Sequence, residues 1–220
     1  MIFDYKLIRS QRRTLALHIT KDGNLEARAP IKLPLETIEA FIHKKQDWIT
    51  SKMEQINNRK VQPKTYKAGE TFLYLGQSYE LSFSETQKLP VELKDKLYVA
   101  SRHQHRAKKV LIQWLWLEAH ILILKRVQHY MALTGYAPKD IKMSTAQHRW
   151  GSCSALGNVN FCWRLIMAPL EIIDYVVVHE LVHLKQHDHS KAFWSKVEHI
   201  MPDYKARRLW LKTHGAELTL

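Results

Sequence analysis

The sequence predicts an α+β fold, with a β-rich N-terminal part packed on a C-terminal core that contains one central helix. Short runs of β-branched and aromatic residues, separated by turn signals, occupy most of the N-terminal part. After Ser101 the pattern changes to long helical periods with strongly apolar faces. We therefore expect a β-rich region with one helix over residues 1–102 and a core over residues 103–220.

The composition excludes several classes of protein. The chain has 220 residues, of which 45% are hydrophobic, and only 7 Gly and 7 Pro, so it is neither collagen-like nor of low complexity. Its two cysteines, Cys153 and Cys162, cannot form a disulfide framework, which favours a reducing, cytoplasmic location. The longest apolar run, from Val110 to Val127, is interrupted by polar residues, so we expect no membrane span.

The formal net charge of +13 has two interpretations. A positive field would attract nucleic acid or an anionic substrate. Alternatively, the Lys and Arg side chains are scattered over solvated faces. The basic clusters are short and lack the aromatic residues that accompany nucleic-acid binding, so nucleic acid is kept as a partner but not favoured. The oligomeric state is left open.

Alternation and turn residues define the elements of the N-terminal part. Asp22-Gly23 is a hairpin signal between two β-rich runs, and Gly76-Gln77 is flanked by two more. From Leu35 to about Asn57, apolar residues recur at intervals of three, four or seven, which predicts a helix. The predicted strands are Ile2–Arg9, Thr14–Thr20, Asn24–Arg28, Phe72–Leu75, Tyr79–Phe83 and one or two strands within Val91–Ala100.

Helical patterns dominate the C-terminal part. A helix is predicted over His103–Leu133, with Gly135 as its C-cap. The segment from Leu170 to about Gln186 is apolar on nearly every side, so this helix should be central and buried. The other predicted elements are strands over Ile141–Met143 and Asn158–Met167, a turn-rich segment at Gly151–Gly157, and two helices that open near Ser190 and Asp203.

The central helix carries the pentapeptide His179-Glu180-Leu181-Val182-His183. Residues four apart lie on one helix face, about 6 Å apart along the axis, so both imidazoles can reach one metal ion at about 2.1 Å. Glu180 can reach a metal-bound water and act as its general base. Burying these side chains on such an apolar helix would be costly without pairing or a metal. We therefore predict a zinc site with His179 and His183 as ligands and Glu180 as the catalytic residue.

A third ligand is required, and His187 and His189 compete for the position. If the helix continues, His187 stands roughly 12 Å of rise beyond His179, which is too far for a shared ion. His189 avoids this difficulty, because Asp188 can turn the chain and place His189 at a junction between two helices. We predict His189 as the third zinc ligand, with Glu198 on the next helix as the alternative.

The spacing of the three histidines supports this choice. The pattern His179-x3-His183-x5-His189 equals that of the metzincin signature. Gln186 stands where that signature has glycine, so the sharp glycine-dependent turn is not assumed. Ser190, directly after His189, is a good N-cap for the helix that follows.

The chain resembles the YgjP-like metallopeptidase family, which is related to the SprT-like zincins. Beyond the His-Glu motif, the resemblance rests on blocks that cover nearly the whole chain: Arg9-Ser10-x-Arg12-Arg13-Thr14, Trp48-Ile49, Arg149-Trp150-Gly151-Ser152-Cys153-Ser154, Trp163-Arg164-Leu165-Ile166-x-Ala168-Pro169, Asp174-Tyr175-Val176-Val177 and His189-Ser190-x-x-Phe193-Trp194. The resemblance implies a compact zincin-like metallopeptidase core preceded by a β-rich region. It also implies a metal, and a nucleotide-pyrophosphatase activity has been attached to some members.

These observations favour a metallopeptidase that binds one zinc ion and hydrolyses a peptide or protein substrate. Two alternatives stay open. A metal-dependent nucleotide pyrophosphatase would use the positive field and Arg149 to hold phosphates. A nucleic-acid-associated module with structural zinc is disfavoured by Glu180, because a structural site uses four protein ligands and no base. Arg149 could hold an oxyanion or a carboxylate, or belong to a tight turn, and Cys153 is interpreted as structural rather than reactive.

Overall fold

The structure is a computed structural model that describes residues 3–20, 22–58, 64–147 and 149–220, with backbone alone over 54–58. The described residues form ten strands and six α-helices, which confirms the predicted α+β fold class. The chain divides into two compact units, Met1–Gln62 and Pro63–Leu220. The division comes earlier than the boundary expected at residue 102, because strands within residues 71–100 share a buried core with the long helix that follows them.

The first unit contains one three-stranded sheet and two helices. Strands β1 (Tyr5–Ser10), β2 (Ala16–Ile19) and β3 (Leu25–Pro30) lie in the order β1-β3-β2, with β2 and β3 antiparallel as the Asp22-Gly23 signal predicts. Ile2, where the first strand was predicted to begin, lies outside the described residues. The core of this unit comprises Leu25, Ala27, Ala29, Ile38, Ile42 and Ile49.

The helix predicted from Leu35 to about Asn57 is two helices. They are α1 (Leu35–Lys44) and α2 (Gln46–Asn58). Lys45 interrupts them because its backbone, with φ −107° and ψ 12°, leaves helical geometry. The apolar spacing continues across this break, which is why periodicity alone predicts one helix.

The second unit begins with a four-stranded sheet. Its strands are β4 (Thr71–Tyr74), β5 (Gln77–Ser84), β6 (Val91–Leu93) and β7 (Leu97–Ala100), in the order β4-β5-β7-β6. The predicted hairpin is present, and its two-residue turn is Leu75-Gly76, with φ of 49° and 79°. Positive φ at both central residues is the type I′ geometry that suits a tight hairpin.

A long helix and a three-stranded sheet complete the frame of this unit. Helix α3 (Ala107–Thr134) has 28 residues and ends at Gly135, whose φ of 70° makes it the predicted C-cap. Strands β8 (Asp140–Ser144), β9 (Gly151–Cys153) and β10 (Asn158–Cys162) lie in the order β8-β10-β9. β9 falls in the segment predicted as turn, because pairing with β10 extends it and confines the turn to residues 154–157.

Three helices follow, and the first of them is central as predicted. They are α4 (Leu170–Val182), α5 (Lys191–Ile200) and α6 (Tyr204–His214). Nearly every residue of α4 is buried, and the helix packs against α3, α5, α6 and β9. The Arg126 guanidinium of α3 donates two hydrogen bonds to the Asp174 carboxylate of α4, at 2.5 and 2.9 Å, which fixes one helix against the other.

The hairpin turn between β4 and β5 contacts the chain just before α4. The backbone N–H of Leu75 donates to the carbonyl of Ile166 at 2.8 Å, and that of Gly76 donates to Met167 at 3.1 Å. A Cβ on Gly76 would lie 2.7 Å from Cγ of Pro169, so glycine is needed there for close approach.

Among the described residues, no helix is both long and apolar enough to cross a bilayer.

Candidate active site

Helix α4 presents His179, Glu180 and His183 near its carboxyl end. The α-helix ends at Val182, and His183 continues in helical geometry as its C-cap, with its N–H 3.3 Å from the His179 carbonyl. His179 and His183 therefore share one face, as their spacing of four residues predicts. Their ring centroids are 4.9 Å apart.

The chain then turns without a glycine. Gln186 donates a side-chain hydrogen bond to Asp188 at 2.6 Å, and the Asp188 carboxylate accepts the N–H of Ser190 at 3.3 Å. Gln186 does not have a positive φ, so this turn needs none of the backbone freedom of the glycine in the metzincin signature. Ser190 occupies the N-cap position of α5, but its hydroxyl makes no capping bond. The result is a sharp return that directs His189 toward α4.

The three predicted histidines come together. One candidate ligand atom from each of His179, His183 and His189 lies within 4.8 Å of the others, and among the described residues they form the one such metal-compatible cluster. The two Nε2 atoms of His179 and His189 are 3.1 Å apart. Two nitrogen ligands at about 2.1 Å from a tetrahedral ion would lie about 3.4 Å apart, so this separation is close to that of a zinc site.

The hydrogen bonding and burial of the imidazoles suit them to bind a cation. Nδ1 of His183 lies 3.0 Å from the Gln186 carbonyl and donates to it, which leaves Nε2 free with its lone pair outward. Nδ1 of His179 is buried without a described partner. Burial, and then the neighbouring His183 and His189, lower the pKa of His179 to about 3, so this ring is neutral as a metal ligand must be. Three neutral imidazoles are a common donor set for catalytic zinc, and these residues fit it.

Two aromatic residues of α5 support the triad. Phe193 is fully buried, and its ring centroid lies 4.9, 4.5 and 4.9 Å from those of His179, His183 and His189. Trp194 stacks on His189 with centroids 5.7 Å apart. These contacts limit ring rotation, so Phe193 and Trp194 act as packing residues around the triad.

Glu180 lies in a narrow space beside β9. It is 5% exposed, and its Oε2 atom has no described hydrogen-bond partner. A Cβ on Gly151 would lie 2.5 Å from its Oε1 atom, so glycine alone leaves room for the carboxylate. Burial raises the pKa of Glu180 to about 8, and the charge of Arg149 opposes that increase.

A cavity of about 200 Å³ opens beside the base. Trp150, Gly151, Tyr175, Val176, His179, Glu180 and Leu211 line it. Tyr175 precedes His179 by one helical turn, and burial raises the pKa of its phenol to about 12, so it stays protonated. The cavity thus brings apolar side chains next to the buried Glu180 carboxylate and to His179, one candidate metal ligand.

The other residues singled out from the sequence lie around this centre or away from it. Glu198, the alternative ligand, is half-exposed, pairs with Lys205 at 3.2 Å, and is outside the histidine cluster. His187 is exposed and also outside the cluster. Arg149 is exposed next to the cavity. Burial, and then the charge of Glu180, raise the pKa of the Cys153 thiol, which disfavours a reactive thiolate.

Sequence reasoning missed three contributors to the site. Gly151 was interpreted within a turn, Tyr175 was named only as part of a motif block, and Arg208 was given no role. The Arg208 guanidinium lies 4.5 Å from the ring centroid of Trp194, and therefore close to the triad. For Tyr175 a signal existed, because it shares the i, i+4 face of α4 with His179.

Comparisons with known proteins add two partial likenesses. The UTP pyrophosphatase of Escherichia coli K12 is 44% identical over 48 residues, which are 20% of this chain and 29% of that relative. The chain therefore aligns with less than a third of that relative's length. A solved metallopeptidase zymogen, abylysin of Pyrococcus abyssi, matches with a TM-score of 0.37 and 23% identity, over 41% of this chain and 93% of that chain. A likeness this low carries no argument.

A family comparison covers almost the whole sequence. The model of the YgjP-like metallopeptidase domain matches residues 13–214, which include every residue of the candidate site. This match confirms the resemblance seen in the sequence motifs, and it supports metal-dependent hydrolysis as the general chemistry. The chain belongs to the YgjP-like metallopeptidase family.

Proposed function

We propose that this protein is a zinc-dependent peptidase in which His179, His183 and His189 hold one zinc ion and Glu180 is the general base. The observation that carries the proposal is the meeting of three imidazoles within 4.8 Å, next to a buried carboxylate without a described partner. When bound there, zinc would polarise the scissile carbonyl and acidify a water molecule. A set of three histidines leaves the fourth position for water or substrate, which is the pattern of catalytic sites.

Glu180 supplies the proton transfers. A bound zinc ion would favour the ionised form of Glu180. Its carboxylate then accepts a proton from the water that attacks the carbonyl carbon, and delivers that proton to the leaving amine as the C–N bond breaks. The close approach of Gly151 fixes the position of the carboxylate. The walls of the cavity limit the water around it, which strengthens its interactions with the reacting atoms.

The unpaired edge of strand β9 favours an extended peptide over a compact molecule as the substrate. Among the described strands, β9 pairs with β10 alone, so its other edge is available to an extended backbone. That edge begins at Gly151, the residue in contact with Glu180. A peptide paired there would lie beside the base.

We also propose a cytoplasmic location, which agrees with two free cysteines among the described residues.

A nucleotide pyrophosphatase is the second candidate function. The local identity to a UTP pyrophosphatase favours it, although that alignment covers 20% of this chain. The cavity beside Glu180, at about 200 Å³, is smaller than the 300–1,000 Å³ typical of sites that enclose drug-sized ligands. This size favours a single amino-acid side chain over a nucleoside triphosphate.

Parallel assays test the proposal. Zinc-loaded wild type and Glu180→Gln should be compared on a mixed peptide library, with products read by mass spectrometry, and on nucleoside triphosphates, with release of pyrophosphate measured. We expect peptide cleavage that is lost in the variant and no pyrophosphate above background. Pyrophosphate release that depends on Glu180, without peptide cleavage, would establish the second candidate instead.

A further inference from the structure

Two exposed arginines are neighbours of residues that line the cavity beside Glu180. Arg149 directly precedes Trp150 and Gly151, which line the cavity from β9 and the loop before it. Arg208 lies three residues before Leu211 on α6, so the two share a helix face, and Leu211 lines the same cavity. Each cation therefore lies close along the chain to a residue that lines the cavity.

Neither guanidinium forms an ion pair within 4.0 Å of a described carboxylate, although the charge of Arg149 acts on Glu180. No ion pair or hydrogen bond joins Arg149 to another described residue. The Cζ atom of Arg208 lies over the indole of Trp194, 4.5 Å from the ring centroid, and Trp194 in turn stacks on His189. Stacking uses the face of the guanidinium and leaves the N–H groups at its edge free to bind an anion.

The cavity contains apolar side chains, whereas the two arginines near it are charged. Trp150, Val176 and Leu211 contribute apolar surface to its walls, alongside the polar groups of His179 and Glu180, and its volume of about 200 Å³ suits one side chain. The natural ligand for this combination has an apolar side chain and a carboxylate on the same residue. The last residue of a peptide has both.

We propose that the site takes the C-terminal residue of a peptide, with an apolar side chain in the cavity and the terminal carboxylate bound by Arg149 and Arg208. This inference rests on the proposed peptidase function and makes the reaction a carboxypeptidase one. Water adds to the last peptide carbonyl, the C–N bond breaks, and the released amino acid carries the carboxylate held by the arginines. The bidentate geometry of guanidinium and carboxylate would set the register of cleavage.

The first arm of the test compares two peptides that end in phenylalanine, one as the free acid and one as the C-terminal amide. We expect kcat/KM of the wild type to be about 10- to 100-fold higher for the acid, the range for a hydrogen bond to a charged group. Arg149→Gln and Arg208→Gln should each lower this ratio. Lys109→Gln on α3 is the control, since it removes the same charge from an exposed position outside the cavity and should keep the ratio.

The second arm measures binding to metal-free protein by calorimetry, with N-acetylphenylalanine and its amide as probes. Tighter binding of the acid, lost in Arg208→Gln and kept in Lys109→Gln, supports the carboxylate site independently of turnover. Equal binding and equal cleavage of acid and amide would overturn the inference while leaving the peptidase function intact. Selective binding without cleavage of any peptide would instead overturn the proposed reaction and leave the carboxylate site.

Discussion

Gly151 and Glu180 lie so close that a Cβ on the glycine would come within 2.5 Å of the glutamate Oε1 atom. Gly151 is not a residue of positive φ, so its backbone does not require glycine. The requirement comes from the space that the carboxylate occupies. Gly151 of strand β9 thus limits the positions that the Glu180 carboxylate can occupy.

Gly151→Ala is expected to displace the base without unfolding the protein. The three atoms nearest to the new methyl group would all belong to the flexible Glu180 side chain, which can move aside, so we expect zinc content and melting temperature close to those of wild type. Peptidase kcat should fall at least about 10²-fold, the lower range for loss of general-base catalysis. Ser152→Ala, on the next residue of the same strand, is the control and should stay active. Full activity of Gly151→Ala would contradict the assigned position of the carboxylate.

The histidine triad predicts a clear pattern of metal content. Wild type should bind about one zinc per chain, whereas His179→Ala, His183→Ala and His189→Ala should lose most of it, because three protein ligands are the minimum for this kind of site. His187→Ala is the matched control, since His187 is exposed and outside the cluster. Elemental analysis after dialysis gives the measurement. Retention of zinc by His189→Ala together with its loss from Glu198→Gln would move the third ligand to Glu198.

Glu180→Gln separates the base from the ligands. The amide keeps the shape of the side chain but cannot take a proton, so zinc should stay bound while kcat falls by about 10²–10⁴-fold. Zinc content and steady-state kinetics on one preparation provide both readouts. Release of zinc from this variant would make Glu180 a ligand and refute its role as the base.

The same substitution should stabilise the metal-free protein in a defined pH range. Burial raises the pKa of Glu180 from 4.5 to about 8, so between these values the unfolded chain loses a proton that the folded protein retains. Wild type therefore loses stability as pH rises through this range, by roughly 3–5 kcal/mol in total, and Glu180→Gln does not. Thermal unfolding of both proteins in chelator should show a gap that opens above pH 4.5 and becomes constant above pH 8. A gap that is independent of pH would be inconsistent with the raised pKa.

The features that sequence predicted well are local. The apolar pattern from Leu170 onward identifies the central helix, and the spacing of His179 and His183 places both on one face without knowledge of the fold. His189 followed from the reach of a metal bond, since Asp188 could turn the chain. Each of these inferences depends on residues within one or two helical turns of one another.

The features that sequence did not predict depend on contacts between distant segments. The approach of Gly151 to Glu180 requires β9 to lie against α4, and the pairing that creates β9 was hidden by turn-like residues. Arg208 reaches the triad only because α6 packs back on α4. The break at Lys45 was missed for the opposite reason, because an apolar repeat can continue through a residue that leaves the helix.

The hydrogen bonds from the Leu75-Gly76 turn to residues 166 and 167 have a consequence for how the protein reaches its native state. They join segments that are far apart along the chain, and closing so long a loop costs entropy before any contact forms. Contacts of this kind slow folding, whereas the turn and the helix can each form quickly by themselves. Helix α4 should therefore dock late, and weakening the turn should slow assembly of the candidate site although none of its proposed ligands is touched.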